Sequence, residues 1–418
     1  MDLKSGYPFW SVRNGLMQSF PQLHSDLRCD VAIVGGGITA ALIADELIAH
    51  GHDVAVLEQR DIGWGSTSAS TALLQYEIDT HMLDLAKRYS EDAAALAYRS
   101  CAQALEQLRA LVRPLRDVDF GWNDSLYYAS RRRHVRVLQQ ELQLRARHGL
   151  DVEWLDAQAL RSAYGVEAYG AILSHQAARV DPYRLTYRLL GRALKRGAGV
   201  YDRTRITDIQ VNGRGAILRT ERGVQVRAGH VVMAAGYASQ GWLDQRVARN
   251  RSSYAFVSDP LDDAQLGALK DTMVWESARP YLYLRSTGNG RIVAGGEDDS
   301  VDIPARRDAR VDAKARKLCR KIAKALPGLE VQPTFAWAGT FAETADGLPF
   351  FGPHPQHGPR MQFAMAYGGN GITYSMLGAG LLRAQIERRA HPLQRLFGSR
   401  GWTERQRRHG HQPWPCKA

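Results

Sequence analysis

A chain of 418 residues is longer than one hydrophobic core usually serves, so two domains or two discontinuous lobes are expected. Its composition, 44% apolar and 23% charged, is that of an ordinary globular protein. The formal charge of +12 admits an anionic partner, although arginine is used throughout the chain and a solvated basic surface is the simpler reading.

No run approaches the roughly 18 consecutive apolar residues of a membrane helix, and residues 1–30 lack the apolar core of a signal peptide. A cytoplasmic protein without a transmembrane segment is expected. Cys29, Cys101, Cys319 and Cys416 are scattered without C-x-x-C spacing, which suggests neither a zinc site nor a disulfide framework.

In chain order, residues 1–29 read as an ordered lead-in punctuated by aromatics and prolines. Asp30 to Val34 is a short buried strand, Gly35 to Gly37 a turn, Ile38 to His50 a helix stopped by Gly51, and Asp53 to Leu57 a second strand. Gly63 to Thr71 is a loop of small hydroxyl residues. Helical periodicity follows over 80–115 and 131–148, with strand-like pieces at 125–129 and 171–174. VDPYRLTYRLLGRALKRGAGV, from Val180, reads as a capped helix leading to a strand, and ITDIQV, AILRT and VQVRAG as a small antiparallel meander. His230 to Tyr237 reads as a buried strand running into Ala235 and Gly236. YLYLR (Tyr281 to Arg285), a GNG turn and RIVAGG (Arg291 to Gly296) form a hairpin candidate. A basic helix over 312–326, a strand over 334–338 and a helix over 372–389 complete the pattern.

The stretch VAIVGGGITAALIADEL is a G-x-G-x-x-G fingerprint whose third glycine is Ala40. Gly35 serves the tight turn and Gly37 the close approach of backbone to pyrophosphate, with the phosphates on a helix N-terminus. The third position governs helix-to-strand packing, where Ala40 adds one methyl. Glu58, about twenty residues on, is placed to accept from a ribose hydroxyl, and its charge argues against a 2′-phosphate. NAD and FAD remain. The donors of GSTSAS, the small residues of VVMAAG and the late helix start in GGNGIT favour a flavin, whose reduced ring a helix N-terminus stabilises.

Taken in order, CDVAIVGGGITAALIADELIAHGHDVAVLE, GSTSASTALLQ, HVVMAAGY, WAGTFAETADGLPFFGPHP and YGGNGITYS resemble the FAD-dependent D-amino-acid oxidase superfamily, in its glycine and sarcosine oxidase group, over about 30–385. The resemblance implies a mixed α/β fold, with a glutathione-reductase-like Rossmann FAD domain interleaved with an antiparallel-sheet substrate domain. We divide the chain accordingly into 30–95, 150–245 and 335–395 for the FAD domain, 96–149 and 246–334 for the substrate domain, and 396–418 as a basic tail. It further implies hydride transfer from the carbon of a C–N bond to flavin N5, imine hydrolysis, and reoxidation by oxygen or an electron carrier, with no obligatory catalytic side chain.

Carried over by position, Gly35, Gly37, Ile38, Thr39, Ala40, Glu58, Gln59, Arg60, Ser66, Thr67 and Ser68 would hold the adenine dinucleotide. Gly369, Asn370, Gly371, Ile372 and Thr373 would lie by the flavin's pyrimidine end, and Leu73, Leu74 and Gln75 along its face. Ala235 and Gly236 would flank the nucleotide, and Ile206 would lend its backbone to adenine. The cysteine that attaches flavin covalently in monomeric sarcosine oxidases falls near Gly339, so non-covalent FAD is expected.

The arginine that clamps the substrate carboxylate in the amino-acid oxidases of this group is replaced by Phe341. A phenyl ring cannot stand in for a bidentate guanidinium. Either the substrate lacks that carboxylate or it meets another cation, such as Arg285. Glu343 suits a cationic amine or polyamine, or is a surface turn residue. Tyr281 and Tyr283 share a strand face with Arg285; with Gln75 and Asn370 they complete the pocket candidates. No metal site is expected: His354, His357, His409 and His411 lack convergent acidic or thiol partners. Three alternatives stand beside amine oxidation: a tRNA wobble-uridine modification oxidase that uses the basic run over 306–324, a non-catalytic flavin-binding assembly protein, and an NAD dehydrogenase. The last leaves GGNG and the late helix unexplained.

Overall fold

The computed structural model describes residues 2–398 apart from 302 and 366. Of the predicted tail, 396–418, all but the first three residues lie outside the described residues, its histidines included. In chain order the strands are β1 Leu27–Val34, β2 Val54–Leu57, β3 Leu73–Gln75, β4 Gly121–Tyr128, β5 Val152–Leu155 and β6 Ala171–Arg179. They continue with β7 Gly199–Tyr201, β8 Ile206–Val211, β9 Ala216–Thr220, β10 Gln225–Met233, β11 Arg249–Pro260 and β12 Thr272–Glu276. The last are β13 Leu282–Ser286, β14 Arg291–Asp299, β15 Phe335–Glu343, β16 Phe350–Pro353 and β17 Met361–Met365.

One sheet runs β16-β17-β10-β1-β2-β7, with the β8–β9 meander attached to β10. Its centre, β17-β10-β1-β2-β7, is parallel. The centre strands read as unbroken apolar runs because both faces are covered. Helices Ile38–Ala49, Pro182–Lys195, Glu91–Val112 and Gly371–Ile386 pack together on one side, and the β8–β9 meander and the 236–243 turn lie on the other. The predicted start of the helix Pro182–Lys195 is realised: Asp181 caps it by accepting from the N–H groups of Tyr183 and Arg184, with Pro182 in the first turn.

The second sheet runs β15-β11-β14-β13-β12-β4-β6-β3, with β5 paired to β6. It is antiparallel except between β4 and β12. The predicted hairpin is β13 and β14, in register from Leu282↔Gly296 to Ser286↔Ile292.

The structure departs from the expected division. β3, β5, β6 and β15, placed by sequence in the cofactor lobe, pair in the second sheet. The helix Glu91–Val112, assigned largely to the substrate lobe, packs on Gly371–Ile386. Sheet membership is decided by partners distant in sequence, which local pattern does not carry. Two expected elements also change form. The helix over 80–115 is broken, with Ser90 capping Glu91–Val112 through the N–H of Ala93. The strand at 230–237 is the second half of β10 and stops at Met233.

Candidate active site

The carboxyl ends of β1, β2 and β10 open into one cavity of about 370 Å³, lined there by Val34, Leu57 and Ala234. That is where ligands enter an open α/β sheet. At the first turn Gly35 has φ +118°, and a Cβ on it would lie 2.3 Å from the carbonyl oxygen of Ala234. Only glycine lets the two strand ends approach so closely. The helix Ile38–Ala49 starts at Gly37, whose own side chain gives no cap; the N–H of Ile38 donates to Thr67 Oγ1 at 3.0 Å, and Gly37, Ile38, Thr39 and Thr67 all line the cavity. Ser66 Oγ lines the same stretch, buried and without a hydrogen-bond partner.

Glu58 closes this end. Its carboxylate accepts from the N–H of Gly36 at 2.6 Å and of Arg60 at 2.9 Å, beside Ile206, Thr204 and Arg205. Desolvation pushes its carboxyl above the usual range, opposed by those two N–H groups. The glycine turn that a Cβ would fill, the helix start that lines the cavity and the orphaned Ser66 hydroxyl together fit a pyrophosphate, with the acid Glu58 lining the same end.

The cavity continues to the opposite seam, where the second sheet meets the N-terminus of helix Gly371–Ile386. Gly369, Asn370, Gly371 and Ile372 line it, and Asn370 donates its amide to the carbonyl of Glu77. Gln75 donates to Ser125 Oγ at 3.0 Å. Tyr281, Tyr283, Phe341 and Glu343 wall the far end.

Most expected site residues come together along this cavity, Gly35, Gly37, Ile38, Thr39, Glu58, Gln59, Arg60, Ser66, Thr67, Leu73, Gln75, Ile206, Ala235 and Gly236 among them. Five expected residues do not line it. Ala40 and Leu74 are core residues, Ser68 donates back to the carbonyls of Trp64 and Gly65, and Thr373 donates to the carbonyl of Gln75. Arg285 is the main correction. It is fully buried, donates to the carbonyls of Thr71, Val180 and Ser286, and lies 5.6 Å from the Trp10 ring. Strand phase brings Tyr283 and Arg285 to one face, but the long side chain reaches down into carbonyls at the lobe junction instead of the cavity.

Glu343 is neither a plain surface turn residue nor a free acid, because Arg251 at 2.9 Å and Arg279 at 3.5 Å pair with it. The basic run at 306–324 is likewise partly neutralised: Lys314, Lys317 and Lys321 of the helix Val311–Ala325 converge on the buried Glu297, and Arg310 pairs with Asp299.

Sequence reading missed four cavity residues with chemistry. Trp275 stands on β12 and is stacked on Tyr127 at 3.6 Å. Asp79 accepts from the N–H of Gly369 at 2.8 Å. Glu77 is fully buried, 3.8 Å from Arg145, which is itself tied to Glu141 at 2.9 Å. Asp298 sits at the end of β14. The acids of QYEIDT and GGEDDS were the available signal, but nothing local distinguishes them from solvated loop charges.

The match of this chain to the DAO family pattern, described as FAD dependent oxidoreductase, spans residues 30–385. The chain belongs to this family of FAD-dependent oxidoreductases. Gamma-glutamylputrescine oxidoreductase of Escherichia coli (strain K12) is 27% identical over 384 residues, covering 88% of this chain and 87% of that protein. Glycine oxidase of Geobacillus kaustophilus (strain HTA426) is 29% identical over 375 residues, 87% of this chain and 93% of that one. The fold matches the crystal structure of glycine oxidase from Geobacillus kaustophilus with a TM-score of 0.74 at 23% identity, over 89% of this chain and 98% of that one. The cofactor of this family is FAD, and the glycine turn, orphaned hydroxyl and Glu58 described above fit it. Among the described residues no cysteine lines the cavity, and no helix is long and apolar enough to cross a membrane.

Proposed function

We propose that this protein oxidises a carbon–nitrogen bond of a small amine or amino acid. The observation that carries the reading is that one cavity joins the dinucleotide turn at Gly35–Thr39 to an aromatic chamber under the second sheet. Bound, non-covalent FAD supplies the hydride acceptor. Backbone groups of the turn and the Ser66 hydroxyl would hold the pyrophosphate, and Glu58 would hold the ribose. The N-terminus of Gly371–Ile386, which lines the cavity, would lie by the flavin's pyrimidine end, where its dipole would favour negative charge. Trp275, Tyr281, Tyr283 and Phe341 exclude water from the reacting carbon and orient the substrate against the cofactor. The C=N product then hydrolyses, and oxygen or an electron carrier accepts the electrons. A domain division that follows the two sheets, with the seam between them as the reaction chamber, accompanies this reading.

The purified protein is expected to be yellow and to bleach anaerobically on addition of a reactive amine or amino acid. A colourless protein that FAD does not restore refutes the reading. A bound flavin that neither class reduces points to the assembly-protein alternative.

A further inference from the structure

The far end of the cavity has the wrong charge for a carboxylate. Among the described lining residues the arginines are Arg60 and Arg205, both at the Glu58 end, and no lysine lines the cavity. The family's clamp position is Phe341, Arg285 is buried elsewhere, and Arg279 is held by Glu343 over the Tyr281 ring at 4.6 Å. Acids fill the chamber instead. Glu77 faces Arg145, Asp79 is engaged by the Gly369 N–H, and Glu343 is doubly paired. Asp298 is different: no ion pair reaches it among the described residues, and although Ser253 hydrogen-bonds to its carboxyl, its Oδ1 is buried without a hydrogen-bond partner.

The fold aims this residue deliberately. Between the pairs Ser252↔Asp299 and Tyr254↔Gly296, β14 carries one residue more than β11. This is a β-bulge, with Glu297 in the left-handed region at φ +53°. Gly295 abuts the Tyr283 ring, and plain alternation would next bring Glu297 to that face. The extra residue shifts the phase. Glu297 turns to the helix Val311–Ala325, where Lys317 at 2.6 Å and Lys321 at 3.1 Å hold it, and Asp298 enters the cavity. A non-glycine residue in that conformation costs energy and persists because its surroundings over-determine it. Tyr281 and Tyr283 feel the charge of Asp298 directly, and Trp275, Tyr237, Tyr367 and Phe341 line the same cavity. An acid set among ring faces is the chemistry that recognises an ammonium group.

We propose that Asp298 selects the substrate by receiving the ammonium group of a cationic amine that bears no carboxylate on the reacting carbon. The inference rests on the amine-oxidation reading above and narrows it to one charge class.

The test uses the full chain with FAD bound. Anaerobic bleaching is followed with 1,4-diaminobutane, its mono-N-acyl derivative and butylamine against glycine, sarcosine and L-proline. The amines are expected to react at lower KM than the amino acids. Asp298→Asn is expected to raise the amine KM by about tenfold to a hundredfold, as for loss of a hydrogen bond to a charged group, with a smaller change in kcat. Binding is read independently of turnover by the flavin absorbance shift on adding tetramethylammonium or acetate. The cation shift should vanish in Asp298→Asn while FAD content stays the same, and Asp298→Glu should restore part of it. Lower KM for the amino acids, or an unchanged amine KM in Asp298→Asn, overturns the assignment and leaves amine oxidation standing. If no amine or amino acid bleaches a bound flavin, the functional reading falls and the role of Asp298 falls with it.

Discussion

Ala40 stands where a third glycine would complete the fingerprint, and its methyl is fully buried in the core beneath the first turn. It is a packing residue that never reaches the cavity. Ala40→Gly is expected to cost about 1 kcal/mol from helix propensity, read as a lower Tm, with FAD content unchanged. Asp298 presents the opposite case, a polar residue whose worth lies in the cavity. Burial pushes its carboxyl up to about 6, aided by the charges of Asp79 and Glu343 and opposed by Ser253 and Arg279. Attraction for a cation needs the ionised form, so kcat/KM for a cationic amine should rise with pH through about 6 and fall below it. Asp298→Asn should lose that limb. The linkage sign follows from the same shift. The folded state holds this proton more tightly than the unfolded chain, whose ordinary value is 3.8, so the stability contributed by the protonated Asp298 is lost as pH rises from 3.8 to about 6, and the loss is constant above that. Asp298→Asn is therefore expected to raise Tm at pH 8 more than at pH 4, as for a residue kept for function at a cost in stability.

At the scale of elements, the strand–turn–helix of the cofactor site was legible because its requirements are local. Gly35→Ala would drive a Cβ to 2.3 Å from the Ala234 carbonyl oxygen, and loss of FAD on gel filtration is the expected outcome. The β13–β14 hairpin was legible from its GNG turn, yet the strand was expected to end at Gly296. The bulge beyond it was hidden because its cause is the cluster of lysines fifteen to twenty-five residues later. Glu297→Ala leaves Lys314, Lys317 and Lys321 without their shared acid. It should lower stability by about 1–3 kcal/mol, discounted for the partly exposed lysines, and raise the amine KM because Asp298 is released. β11 and β12 were missed for a different reason. Their buried stretches lack the polar-apolar alternation that marks a half-buried strand, so periodicity gives no signal there.

Across the whole molecule, the seam between the two sheets makes the chamber, and Arg285 shows how that seam is held. Its guanidinium ties carbonyls from residues 71, 180 and 286 beneath Trp10 of the N-terminal segment, and burial pushes its pKa down to about 10. Arg285→Met leaves those carbonyls unpaired and should cost about 3 kcal/mol or more, seen as a lower Tm in thermal unfolding. The preference between amines and amino acids should not change, which separates a seam residue from a substrate clamp. The sequence alone determined the cofactor class and the family, and it raised the expectation that Phe341 stands where the family's carboxylate clamp would be. Each is written in residue types at short fixed spacing, where turn geometry and charge act within a few residues. The tertiary structure decided where the charged candidates lie. Arg285 turned away from the cavity, Glu343 found two arginines, and a bulge held from a distant helix brought Asp298 into the chamber. Those outcomes depend on partners remote in the chain, and only folding brings such partners together.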